Sequence, residues 1–114
     1  MYSEAVLPKD LNAFIDNYSR DRYALILIMF FAVFPNTRFN IHAVSRSLGY
    51  KTPKKPLLEA MGKLVNDRVM EVSMVGEVPT FRLGDDKSLR KHVTALRKLD
   101  YKQKRDLLRG RRRS

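Results

Sequence analysis

Apolar residues recur along this chain at spacings of three to four and, over one stretch, with strand character, and the changes of pattern mark out its elements. Leu7, Leu11, Phe14, Ile15 and Tyr18 share one helical face, and Pro8 suits a first helical position, so the pattern predicts an amphipathic helix over about residues 8–18. The next helix, from about Asp21 to Phe34, is apolar on every side and is stopped by Pro35-Asn36. Such a helix belongs in the middle of a core. Its unbroken apolar run, Tyr23 to Phe34, is twelve residues, and a membrane span needs roughly 20.

Thr37-Arg38-Phe39 reads as a short extended piece. Asn40 is placed to cap a short helix, Ile41 to Leu48, with Ile41, Val44 and Leu48 inward, and Gly49 supplies the left-handed residue that stops it. Lys51-Thr52-Pro53-Lys54-Lys55-Pro56 is a turn, and Thr52 is placed to cap the helix that follows or to donate to a phosphate. That helix runs from about Lys54 to Asp67, with Leu57, Leu58, Met61, Leu64 and Val65 at its apolar spacing. Val69 to Met74 and Thr80 to Leu83 have strand residue types, with Val75 to Pro79 as the hairpin loop. Asp86 is placed to cap one long helix from Lys87 to about Leu108, with Leu89, Val93, Leu96 and Leu99 inward. Gly110 to Ser114 is a basic end. The expected fold is mainly α (α+β), with residues 1–86 as one unit and 87–114 as a basic helix and tail.

Charge changes this picture more than length does. The 114 residues fit one domain, and the formal net charge is +11. Residues 1–86 carry 11 basic and 10 acidic side chains, whereas residues 87–114 carry 12 basic and 2 acidic. A second asymmetry lies between Thr37 and Leu58, where Arg38, Arg46, Lys51, Lys54 and Lys55 occur with no acid. Two basic zones on a neutral body point to a polyanionic partner, because solubility alone does not concentrate one sign of charge. Absence of cysteine removes disulfide and thiolate chemistry and fits a reducing compartment. Glu4, Asp10 and Asp16 near the start, with no basic-then-apolar run, argue against a secretory leader. The expected location is therefore cytoplasmic, with the nucleoid, and not a membrane.

Catalytic chemistry has little to draw on. His42 and His92 are far apart, no glycine-rich phosphate loop occurs, and the acids are scattered. The one adjacent pair, Asp85-Asp86, is explained by capping. The expectation is a binding protein with no catalytic residue, metal or cofactor.

From Tyr23 to Leu83 the order of elements resembles the winged helix-turn-helix superfamily. Phe39 to Tyr50, read as Phe-Asn-Ile-His-Ala-Val-Ser-Arg-Ser-Leu-Gly-Tyr, is similar to its first helix and turn. Leu64-Val65-Asn66-Asp67-Arg68-Val69-Met70-Glu71-Val72 is similar to the end of its recognition helix and its first wing strand. The resemblance implies that the helix from about 54 to 67 enters the major groove of double-stranded DNA. Lys51, Thr52, Lys54 and Lys55 would then meet phosphate at its leading end, and Lys63 a base edge or phosphate. Arg38, Ser45, Arg46 and Arg82 would contact backbone nearby. Arg90, Lys91, Arg97, Lys98 and Lys102, with Lys104 and Arg105, would track phosphate along the last helix, and Arg111, Arg112 and Arg113 would serve as an untethered electrostatic aid or, as the alternative, as an arm entering a minor groove. A transcriptional regulator acting as a homodimer is the leading expectation. Partition, replication or architectural work on plasmid or viral DNA is a second, and an RNA-binding or protein–protein adaptor module a third. The expectation requires both basic zones to form one continuous surface. Two departures stand out: Pro53 and Pro56 crowd the start of the helix, and the wing loop carries Glu77 and no basic residue.

Overall fold

The computed structural model describes residues 9–18 and 20–109. Among them the chain forms α1 (Lys9–Asp16), α2 (Arg22–Val33), α3 (Ile41–Ser47), α4 (Lys55–Asn66), β1 (Met70–Val75), β2 (Val78–Leu83), α5 (Lys87–Arg97) and α6 (Tyr101–Leu108). The result is a small α+β domain of helices with one antiparallel hairpin.

The apolar helix is the central post, as its pattern requires. Asp21 caps α2 by accepting from the Ala24 N–H at 3.0 Å. Ala24, Leu25, Leu27, Ile28, Phe31 and Ala32 are buried along its length. α4, α5, α6 and β2 all pack on it, while α1 packs on α5. One cluster of buried side chains therefore runs from Leu11 in α1 to Leu107 in α6. Leu89, Val93 and Leu96 of α5 belong to that core, so no break in it falls at residue 86.

Local signals close the elements. Asn40 caps α3 by accepting from the Ala43 N–H at 2.8 Å, and Asp86 caps α5 by accepting from the Leu89 N–H at 2.9 Å. Gly49, at φ +90°, ends α3, with the Tyr50 N–H returning to the Ser45 carbonyl and the Gly49 N–H to that of Arg46. This is a Schellman turn. α4 ends in the same way through Arg68, which takes φ +66° where glycine is usual. An L-residue in that conformation costs about 1 kcal/mol.

Several boundaries differ from expectation. The C-terminal helix is two helices, not one. Asp100 accepts from the Gln103 N–H at 2.8 Å, and the Gln103 side chain accepts from the Asp100 N–H at 3.0 Å, a capping box that starts α6 afresh. The break lets Leu107 return to the core against α2, where a straight helix from 87 to 108 would extend roughly 33 Å. The hairpin is tighter than expected. Val75 pairs with Val78 across a two-residue turn that opens on Gly76 at φ +65°. Thr52 does not cap α4; its N-cap is Lys54, which makes no side-chain capping bond, and Pro56 follows in the first turn. Leu58, one of the apolar positions of that helix pattern, is 46% exposed.

Two contacts join distant segments. Phe39 pairs with Phe81 of β2 through bonds of 2.9 and 2.8 Å, using backbone groups of β2 that face away from β1. Gly84 crosses the start of β1 so closely that a Cβ on it would lie 2.7 Å from the Arg68 carbonyl oxygen.

Candidate nucleic-acid interface

The acid-free segment from Thr37 to Leu58 is exposed at each of its cations. Arg38, Arg46, Lys51, Lys54 and Lys55, with Thr52, all face solvent. The Schellman turn at Gly49 turns the chain out of α3, and only the short stretch 50–54, which carries Lys51 and Lys54, separates it from α4. The Lys54 ammonium lies 5.2 Å from the Tyr50 ring centroid, within cation–π range. α4 begins with lysines, lacks a side-chain cap and has no acid in its first turn. Its partial positive charge is thus reinforced rather than cancelled.

The faces of α4 follow from its buried residues. Leu57, Ala60, Met61 and Leu64 point into the core. At 3.6 residues per turn, the opposite face carries Lys55, Glu59, Gly62 and Asn66, all exposed, with Lys63 and Leu58 on its flanks. Lys63 also leans on the protein itself, 5.5 Å from the Tyr18 ring centroid.

Three expected contacts are corrected. Ser45 is 1% exposed on the inner side of α3, so its hydroxyl is not on the surface. Arg82 donates to Glu71 at 2.9 Å and to Asp85 at 2.8 Å, and both acids hold its guanidinium firmly charged but occupied. Arg90 donates to the carbonyls of Gly84 (2.7 Å), Pro35 (3.0 Å) and Leu83 (3.2 Å), to Asn36 Oδ1 (2.8 Å) and to Asp85 (3.3 Å). It is a staple between the end of α2, the end of β2 and α5.

The second basic zone sits on α5 and α6. Lys91, Arg97, Lys98, Lys102 and Arg105 are exposed and Lys104 is half-buried. Lys87, which sequence reading passed over, lines an open depression of about 440 Å³ with Arg90, Lys91, Thr94, Ala95 and Lys98. Its signal was its spacing, since positions 87, 91 and 98 stack on one helical face. Arg105 lies 5.3 Å from the ring of Tyr101, itself 76% exposed. Arg111, Arg112 and Arg113 lie outside the described residues. α2 packs against both α4 and α5, with little between those two helices. The two zones are thus mounted on different elements, the first on α3, the turn and α4, the second on α5 and α6.

No group of three or more metal-ligating side chains occurs among the described residues, and no helix there is long and apolar enough to cross a membrane. Comparison of the chain with protein-family models, with curated proteins and with solved structures gave no match.

Proposed function

We propose that this protein is a double-stranded-DNA-binding module of the winged helix-turn-helix kind, with α4 entering the major groove and the β1–β2 hairpin as its wing. The observation that carries this reading is the exposed, acid-free run of cations from Arg38 to Lys55 leading into the uncapped start of α4. Chain order supports it: α2, an extended Phe39 bonded to β2, α3, a turn, α4, then the hairpin. In this reading Arg38, Arg46, Lys51, Thr52, Lys54 and Lys55 neutralise phosphates, while the outer face of α4 meets base edges. A regulator pairing two copies on half-sites about one helical turn apart is the role we favour.

A second role, joining DNA segments as an architectural protein, is favoured by one specific observation. Lys87 and Lys91 of α5, with Lys98 at its C-cap, form a second cationic stripe. The test compares Lys54→Ala/Lys55→Ala with Lys91→Ala/Lys98→Ala in duplex binding across salt. The first pair is expected to weaken binding at least about tenfold and to flatten the log–log salt slope by about 1.8. Unchanged duplex affinity at moderate salt would remove α4 from the interface. Loss of duplex-to-duplex bridging in the second pair alone would favour the architectural role.

A further inference from the structure

Four of the chain's glycines lie among the described residues, and the protein's own backbone requires three of them. Gly49 and Gly76 take φ +90° and +65°, which other residues rarely adopt, and Gly84 has no room for a Cβ. Gly62 is different. It lies inside α4 at an ordinary helical φ, it is exposed, and a Cβ built on it would meet nothing within 4 Å. Glycine is among the poorest residues for a helix interior, so the folded chain taken alone would be better served by alanine there. Nothing among the described residues accounts for the missing side chain. Its position does point outward, on the face that Lys55, Glu59 and Asn66 share.

We propose that Gly62 is the point of closest approach between α4 and duplex DNA, its bare backbone allowing the helix to seat against base edges in the major groove. This rests on the DNA-binding reading above and deepens it. The approaching group is a base edge rather than a phosphate, because the carboxylate of Glu59 stands one turn away on the same face and repels phosphate. A carboxylate there suits an amino donor such as cytosine N4. A second copy of this chain is the less suitable occupant. Two such faces in contact would bring Lys54, Lys55 and Lys63 against their own counterparts, whereas DNA neutralises them.

The test begins with selecting a preferred duplex from a randomised pool with the unaltered protein. Gly62→Ala and Gly62→Gln are then measured on that duplex and on an unselected one, beside Lys54→Ala/Lys55→Ala. Gly62→Ala is expected to raise Tm by roughly 4 °C. It is also expected to weaken the selected duplex at least about tenfold, with Gly62→Gln weaker still and the unselected duplex changed less than about twofold. Stability and affinity should therefore move in opposite directions. Full affinity of both variants for the selected duplex would overturn the proposal. So would a lowered Tm for Gly62→Ala, which would give the glycine to the fold, or a changed sedimentation mass, which would give it to a second copy. If the lysine pair weakens binding while the glycine variants do not, the DNA-binding reading stands and only this inference falls. If the unaltered protein selects no duplex, both fall.

Discussion

The Tyr18 hydroxyl donates to the Asp67 carboxylate at 3.0 Å, tying the end of α1 to the end of α4. Burial pushes the phenol above its ordinary value near 10, and the hydrogen bond and the charge of Asp67 push it further in the same direction. The folded chain therefore keeps this proton when the unfolded chain gives it up. Below about pH 10 both states hold it and the contribution to stability is complete; as pH rises beyond that, stability falls. Tyr18→Phe should remove that alkaline decline while lowering neutral-pH stability by about 1 kcal/mol. Urea midpoints between neutral and strongly alkaline pH check both effects, and a decline as steep in the variant as in the parent would contradict the assignment. Arg90 is the other residue whose role lies in distant partners. Pro35 and Asn36 are 55 and 54 positions away. Such a role is not written in the neighbourhood of residue 90, which reads simply as one more cation on a basic helix.

Elements were legible where their causes are local. The apolar run of α2 is continuous, the Asn40 and Asp86 caps and the left-handed Gly49 each act within four residues, and each is where the pattern put it. Elements whose bounds depend on two signals competing were less so. Leu89, Val93, Leu96 and Leu99 continue one helical stripe up to the very residue before Asp100. The capping pair Asp100 and Gln103 interrupts it, and the interruption wins because it also lets Leu107 be buried. Asp100→Ala removes the N-cap acceptor of α6 and should cost about 1 kcal/mol, read as a lowered urea midpoint. An unchanged midpoint would mean that α6 is held by its apolar contacts alone. The candidate site was legible in part for the same reason. Exposure of the lysines around Thr52 follows from composition, but the inward turn of Ser45 follows from which side of α3 meets the body.

At the scale of the molecule, the basic C-terminal stretch cannot be treated as an appendage. α5 fills the core beside α2 and α1, with Leu96 fully buried. A chain ending at Asp86 should fail to fold cooperatively, because losing Leu89, Val93, Leu96 and Leu107 exceeds the few kcal/mol by which a domain of this size is stable. Circular dichroism melts decide the matter, and a cooperative transition in the shorter form would mean that residues 9–86 hold a sufficient core. The hairpin has a wider consequence. Its β2 side is closed, since Phe39 occupies the backbone of Phe81 and Pro79 has no amide hydrogen to offer. Val72 and Met74, 46% and 61% exposed, lie on the β1 side, where no strand among the described residues is paired. Sheet growth in crowded or partly unfolded samples is thereby restricted to a single margin: two molecules can zip together there, but the product has no free rim from which a fibril would elongate.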